Sequence, residues 1–338
     1  MERCLIILAC NDYEGIAITL QALNHTIQCD TPIVVILNGA SGFAANQVEY
    51  IAREWAKYGR NRHVVKPIRS GGPPLYSILE VIKEFDPIRN VQQICKLDED
   101  IIPIRKGWLD TLAKTFVSRN GTNMGFVTGL INNNCWGFDK MLDIFGKRED
   151  FRLMQNYKYA VGQWGERIIQ SGEVDINQFG TIWRAPYMAR WLHSWSSLDT
   201  NAFLNKTERL EVIRIGANVA FSIGCIYSSK ELWMSLDPEE NSSDEYLINK
   251  YCFENVLDKW AVMSEPIIHL YYYTHRTSNR DISGSVASEL AMLFNDKEFI
   301  TAYQTAKSYR NEEAGFILSQ ISHRISELIS LAATVGEN

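Results

Sequence analysis

Two stretches near the start of the chain, Cys4–Ala9 (CLIILA) and Ile33–Leu37 (IVVIL), are apolar at every position, and this limits the fold more than any other feature. A strand with one face in water alternates apolar and polar residues, whereas a strand apolar throughout is covered on both faces. Between the two, Glu14–Leu23 carries Ile16, Leu20 and Leu23 at helical spacing. The alternation then continues. Asn38-Gly39 closes the second strand as a turn signal, Phe43–Tyr58 reads as a helix, and His63–Ile68 as a third strand. A loop, Ser70-Gly71-Gly72-Pro73-Pro74, leads into a helix over Leu75–Phe85. Val91–Leu97 is a fourth, more polar strand, Lys106–Phe116 a helix and Met124–Thr128 a fifth strand. Strands alternating with helices in this way imply an α/β fold, a mostly parallel central sheet with helices on both faces.

Open α/β sheets bind their ligands at the carboxyl edge of the strands. At that edge the fourth strand ends in Asp98-Glu99-Asp100, followed by Gly107-Trp108-Leu109. Two carboxylates one residue apart offer hard oxygen ligands that suit Mg²⁺ or Mn²⁺, ions that complete their shells with substrate phosphates. A bare Asp-x-Asp is more often a solvated acidic loop. Its place at the end of a parallel strand is what gives it meaning.

Several segments together resemble family-2-type glycosyltransferases with the GT-A fold. The first strand ends in Leu8-Ala9-Cys10-Asn11-Asp12, and the second in Asn38-Gly39-Ala40-Ser41, similar to that family's Asp/Asn-Gly-Ser turn. The acidic tripeptide matches its D-x-D motif, and Gly107-Trp108-Leu109-Asp110 its Trp-Leu helix. Later, Gly216-Ala217-Asn218-Val219-Ala220-Phe221-Ser222 resembles the Gly-Ala-Asn strand, and Asp244-Glu245-Tyr246-Leu247 the acidic motif at the head of a helix. Order and spacing agree over roughly residues 3–275. The resemblance implies a GT-A domain, Rossmann-like with a mostly parallel sheet. Residues 1–130 would be its nucleotide-sugar half, 131–280 its acceptor and catalytic half, and 281–338 a C-terminal helical extension.

The implied chemistry is transfer of a sugar from a UDP- or dTDP-linked donor to an acceptor hydroxyl, inverting by single displacement. Such transfer needs the leaving diphosphate neutralised and the acceptor hydroxyl deprotonated. Mn²⁺ or Mg²⁺ on Asp98 and Asp100, with His269 as a further ligand, would meet the first need. Asp244 would be the catalytic base, with Glu245 as its substitute. The other reading of Asp244 is a capping or first-turn acid that stabilises the 244–257 helix through its dipole. Donor contacts are expected from Ala9, Asn11, Asp12, Asn38, Arg69, Lys96, Asp98 and Glu99. His275 and Arg276 are further candidates, the latter as a bidentate phosphate clamp. Two positions depart from the family. Cys10 stands where a Tyr stacks on the base, and Leu37-Asn38 where an Asp pair is common. An Asn can pair with the imide edge that uracil and thymine share, so this position does not choose between them.

Composition fits a soluble enzyme of 338 residues, long enough for one large or two modest domains. The net charge of −6, without any Lys/Arg block, disfavours a nucleic-acid acceptor and leaves carbohydrate, lipid-linked or protein acceptors. No apolar stretch reaches the roughly 18 residues that span a bilayer, and Met1-Glu2-Arg3 runs straight into a strand-length segment. A cytoplasmic protein is expected, at most peripheral at the inner face of a membrane. Seven scattered cysteines without a C-x-x-C pair read as reduced thiols. The sequons Asn24-His25-Thr26 and Asn205-Lys206-Thr207 read as chance matches.

Residues 172–200 concentrate Phe179, Trp183, Tyr187, Trp191 and Trp195, with Arg184, Arg190 and His193 between them. They fit either a core-facing helical stripe or an acceptor platform on which sugar rings stack. At the end of the chain, Ser285–Phe299 and Glu312–Ala333 read as helices. The second carries Phe316, Ile317, Ile321, Ile325, Leu328 and Ala332 at three- and four-residue steps, suited first to packing on its own domain, then to a homodimer seam, then to a membrane surface. Two other functions fit the same sheet. A sugar-phosphate nucleotidyltransferase would carry a Gly-rich basic loop after the first strand, where this chain has the acidic Asn11-Asp12-Tyr13-Glu14 and only Gly15. A non-catalytic nucleotide-sugar-binding protein would have lost the acidic pairs, and both are present.

Overall fold

β1 (Arg3–Ala9) is buried from Cys4 to Ala9, as its unbroken apolar run requires, and it forms the axis of the fold. α1 (Tyr13–Thr26), β2 (Ile33–Leu37), α2 (Phe43–Ala56), β3 (Arg62–Val65), α3 (Pro74–Glu84) and β4 (Gln93–Asp98) follow in strict alternation. β5 (Ile101–Pro103), α4 (Trp108–Ser118), β6 (Met124–Ile131), α5 (Cys135–Ile144), α6 (Arg148–Gln155) and the two-residue strands β7 (Val161–Gly162) and β8 (Arg167–Ile168) come next. The chain continues through α7 (Pro186–Ser194), α8 (Thr200–Thr207), β9 (Val212–Arg214), β10 (Cys225–Ser229), α9 (Lys230–Met234), α10 (Asp244–Glu254) and β11 (Asp258–His269). It closes with α11 (Arg280–Phe294) and α12 (Glu298–Val335). This computed structural model describes residues 3–28, 30–39, 41–119, 123–132, 135–155, 161–162, 167–168, 186–219, 221, 224–238, 243–270 and 280–335.

The main sheet has the order β3-β2-β1-β4-β10-β6-β11-β5, with β9 paired to β11. β3, β2, β1 and β4 are mutually parallel, and so are β6 and β11. β10 runs antiparallel between β4 and β6, while β5 and β9 run antiparallel to β11. The sheet is therefore mostly parallel and flanked by helices, as the alternation implies. The register places Leu8 opposite Asp98 and Cys225 opposite Leu97, so the first strand, the acidic tripeptide and the start of β10 meet at one edge.

Several boundaries differ from the sequence reading, each for a local reason. The third strand ends at Val65 and not at Ile68, because Pro67 offers no N–H to the ladder and Ile68 is exposed. The Gly-Ala-Asn segment expected as a strand is not one among its described residues. The regular strand is Val212–Arg214, and Gly216, at φ +82°, turns the chain out of extended geometry. The strand expected over Pro266–Tyr273 begins earlier, at Asp258, and is described as far as His269. Five cysteines, Cys4, Cys10, Cys95, Cys225 and Cys252, are free thiols, and burial pushes Cys4 up to about 12 and Cys252 to about 11. No helix among the described residues is long and apolar enough to cross a membrane.

The C-terminal helices start earlier than expected, and α12 is a single helix of 38 residues. The break between them lies at Asn295, with φ +51°, after which Asp296 accepts the Glu298 N–H at 2.9 Å. The first half of α12 packs on its own domain and buries Phe299, Tyr303 and Ala306. Tyr13 donates to Glu313 at 2.7 Å, Tyr309 stands edge-on to Tyr13 with centroids 6.0 Å apart, and Phe316 lies 6.1 Å from Phe43. Beyond that the apolar face emerges into solvent at Ile317, Leu318, Ile321 and Ile325. The side chains of Leu328 and Ala332 lie outside the described residues.

One ion pair fastens α12 to α1. Arg310 grips Glu14 through both guanidinium contacts, each 2.5 Å, and Glu14 is buried. Breaking a buried pair strands the remaining charge, which costs roughly 3–5 kcal/mol, whereas removing both charges costs much less. Arg310→Met should therefore destabilise the fold by roughly 3 kcal/mol. The double variant Glu14→Gln/Arg310→Met should recover much of that loss. Urea unfolding of the four proteins of the cycle measures both.

Candidate active site at the carboxyl edge of the sheet

The three residues of the acidic tripeptide point to three different tasks. Asp98 ends β4 with its N–H bonded to Gly224 O at 3.1 Å, and about a third of its side chain (34%) stays accessible. Its Oδ1 lies 2.5 Å from the Lys96 ammonium, which is itself 3.1 Å from Asp244 Oδ2. Lys96 and Asp244 are both buried. Burial alone would depress the Lys96 ammonium, but Asp244 and Asp98 outweigh it and raise its pKa above the ordinary lysine value. Burial, joined by the Asp244 and Asp100 charges, shifts Asp98 upward despite Lys96. Lys96, a candidate donor contact by its position, has its charge between two carboxylates.

Glu99 turns inward. Its carboxylate accepts the backbone N–H groups of Cys10 at 2.6 Å, Asn11 at 3.2 Å and Asp12 at 3.1 Å, while Thr19 donates to its carbonyl at 2.9 Å. The expectation that Glu99 touches the donor gives way to a bracing role, since a buried carboxylate takes the nearest N–H groups. Asp12 caps α1 by accepting Gly15 N–H at 2.9 Å. A Cβ on Gly15 would stand 2.4 Å from Asp12 Oδ2 and 3.0 Å from Asp100 Cβ, which explains why the one glycine of this acidic loop sits there.

Asp100 is buried, with Oδ2 3.4 Å from His269 Nε2 at the end of β11. Asn132, at the end of β6, fixes His269 by accepting its N–H at 2.9 Å and donates to Ser197 at 2.8 Å, which in turn lies 2.7 Å from His193 Nδ1. Among the described residues no three of His, Cys, Asp and Glu converge as a preformed cation site. Mg²⁺ and Mn²⁺ need only one or two carboxylates when diphosphate oxygens complete the shell, and Asp98 and Asp100 fit that need.

Asp244 sits in the first turn of α10. The cap is Ser243, whose hydroxyl accepts Tyr246 N–H at 3.1 Å, so the capping reading of Asp244 is replaced by a first-turn position. Glu245, next to it, is half-buried, and its carbonyl accepts from Asn249 at 2.8 Å. Ala9 is buried and its carbonyl accepts Asn38 N–H at 2.7 Å, while Asn11 is exposed. The Asn38 side chain holds the loop before α3, donating to Gly72 O at 3.2 Å and accepting from Ser77 at 2.6 Å. The expected base-reading amide is thus bonded within the protein, to one backbone carbonyl and one serine hydroxyl. Arg69 is exposed and lies 4.8 Å from the Tyr76 ring.

Of the aromatic cluster, Trp191 and Trp195 pack against the core, 5.2 Å apart, with Trp195 5.1 Å from Phe145 and Trp191 6.4 Å from Phe151. Arg190 pairs with Asp281 at 2.9 Å. Phe179, Trp183, Arg184, His275 and Arg276 lie outside the described residues, as does the side chain of Tyr187.

Two braces went unnoticed in the sequence. Asn249, one helical turn from Glu245, accepts Phe221 N–H at 2.9 Å and donates to Phe221 O at 2.8 Å. Lys259, wholly buried on β11, donates to the carbonyls of Ala217 at 3.1 Å and Val219 at 2.5 Å and to Asn249 Oδ1 at 3.2 Å. Together they tie the 216–221 segment to the helix that carries Asp244. The only sequence signal was a charged residue inside an apolar strand pattern. Burial lowers the Lys259 ammonium to about 8, with Cys252 and Asp258 opposing.

Neither a protein-family model nor a curated protein matches the chain. Several solved structures align with most of it. S. aureus TarS 1-349 matches at 11% identity over 90% of this chain and 71% of its own, with a TM-score of 0.43. GalNAc-T7 with UDP, GalNAc and Mn²⁺ matches at 9% identity over 92% of this chain and 57% of its own, at 0.49. The mannosyltransferase PcManGT from Pyrobaculum calidifontis, in complex with GDP-Man and Mn²⁺, matches at 10% identity over 96% and 81%, at 0.40. With each TM-score below 0.5 the overlays are loose.

The Lys259 brace makes stability depend on pH. Its pKa is lower folded, about 8, than the ordinary 10.5, so between those values the unfolded chain binds more protons and stability rises with pH. That rise, on the order of 3 kcal/mol across the window, should be missing from Lys259→Met. Chemical denaturation of both proteins from pH 7 to 10.5 gives the difference, which also removes the contribution of other titrating groups.

Proposed function

We propose that the protein is a metal-dependent glycosyltransferase that moves a sugar from a nucleoside diphosphate sugar to an acceptor hydroxyl. The observation that carries this reading is the meeting of Asp98, at the end of a parallel strand, with Asp244, from the head of a helix in the other half of the chain, across one buried lysine. A carboxyl-edge acid for the donor side and an acid facing it are the two groups such a transfer requires.

Asp98 and Asp100 would hold the cation with the donor diphosphate, His269 standing behind Asp100, and the ion would neutralise charge developing on the leaving group. The rigid 10–12 loop, braced by Glu99, would present backbone and the exposed Asn11 to the nucleotide. Asp244 would accept the proton of the attacking hydroxyl, with Glu245 as its substitute, and one displacement would invert the anomeric centre. UDP- or dTDP-linked donors are the first to test, with Asn38 supporting the base pocket from behind. Carbohydrate, lipid-linked and protein acceptors all suit the net charge of −6 better than a nucleic acid. The nucleotidyltransferase alternative loses ground because the loop after β1 is gripped by a carboxylate and offers no basic cradle.

A panel of nucleotide sugars examined by thermal shift with and without Mn²⁺ tests the donor class. Asp100→Ala should abolish the Mn²⁺-dependent stabilisation by nucleoside diphosphate, because Asp100 would help hold an ion whose shell the phosphates complete. An unchanged metal dependence in that variant would move the cation elsewhere.

Asp244→Asn should cut turnover by about 10²–10⁴, far more than it weakens donor binding. Ser243 provides the cap, so helix fraying cannot account for such a fall. Transfer rate and donor Kd measured side by side for Asp244→Asn and Glu245→Gln decide which acid acts as base; normal turnover in both would exclude the pair.

A further inference from the structure

Lys96 occupies an interior position of β4, beside the buried Cys95 and Leu97, where a sheet core calls for an apolar side chain. An ammonium in such a place is stable only when carboxylates or other acceptors compensate it. Its two partners come from opposite halves of the chain, Asp98 from two residues along the strand and Asp244 from α10. Both oxygens lie within reach of one nitrogen, so they are no further apart than the sum of the two distances. Without the lysine, two like charges would face each other across a partly buried gap and push α10 away from the sheet edge.

We propose that Lys96 is a positioning residue: it holds Asp244 against the donor-side carboxylate before any ligand arrives, and it gives up Asp98 when a divalent cation binds there. The tether itself is independent of what the protein catalyses. The exchange with a cation rests on the glycosyltransferase reading above. Lys96 thereby competes with the ion for Asp98, and once the ion is bound its charge serves Asp244 alone. The acid across the site is then held in place in both states, and the cation binds well only when diphosphate oxygens add to its shell.

The test uses the full chain. Melting temperatures of wild type, Lys96→Met, Asp244→Asn and the double variant are compared in EDTA-treated buffer, followed by calorimetric titration with Mn²⁺ alone. Lys96→Met should melt lower than wild type, and adding Asp244→Asn should restore part of the loss, because the repulsion is gone. Mn²⁺ should bind Lys96→Met about tenfold more tightly than wild type. Lys96→Arg, which keeps the charge, should stay close to wild type in both measurements. If Lys96→Met does not fold, Lys96→Gln takes its place, retaining donor N–H groups without the charge. An additive cycle overturns the tether, and Mn²⁺ binding no tighter in the uncharged variant overturns the competition. Coupling in the cycle with no Mn²⁺ binding by any protein upholds the tether and overturns the competition, and the metal-dependent reading is then decided by the Asp100→Ala comparison with nucleoside diphosphate.

Discussion

A cation buried in a sheet dictates much of what surrounds it. Lys96 cannot sit inside β4 without compensating charge, and its two partners are supplied by the end of its own strand and by the head of α10. That requirement ties a segment far along the sequence to the edge formed by β1 and β4. The insertion of β10 next to β4 serves the same end, since Gly224 O receives the Asp98 N–H and the chain between β10 and α10 returns Asp244 to the lysine. The edge is thus assembled by electrostatics as well as by strand pairing.

Around this centre the irregular backbone is braced by buried side chains. Glu99 holds the loop after β1, Asn38 the loop before α3, Asn132 the last residue of β11, and Lys259 with Asn249 the described residues after β9. Loops that form a ligand edge cannot satisfy their N–H and C=O groups within a ladder, and each of these side chains replaces ladder partners. The outcome is a set of loops whose positions are set by buried side chains.

The C-terminal extension is connected to this edge. Arg310 and Glu313 engage Glu14 and Tyr13, the first residues of α1, and Gly15 in the same turn lies close to Asp100. Loosening α12 would therefore be felt at the acidic tripeptide. Past Phe316 the same helical face loses its support and stands in solvent, so the helix has an anchored half and a half that extends from the domain.

The sequence alone determined the α/β class, the alternation through Ile131 and the location of the acidic edge, because unbroken apolar runs and helical spacing are local properties that burial on both faces imposes residue by residue. It also singled out the residues that gather there, Lys96, Asp98, Asp100, Asp244 and His269. What it did not determine was which of them face a ligand and which hold the protein together. Glu99 and Asn38 look like donor contacts by type and position but bond to the protein's own loops, and Lys259 carries no motif at all. That division depends on the few N–H, C=O and charged groups within about 3 Å of each side chain, and those neighbours come from strands and helices distant in sequence. Pattern and spacing describe which face a residue occupies; only the packed structure decides what its polar atoms meet there.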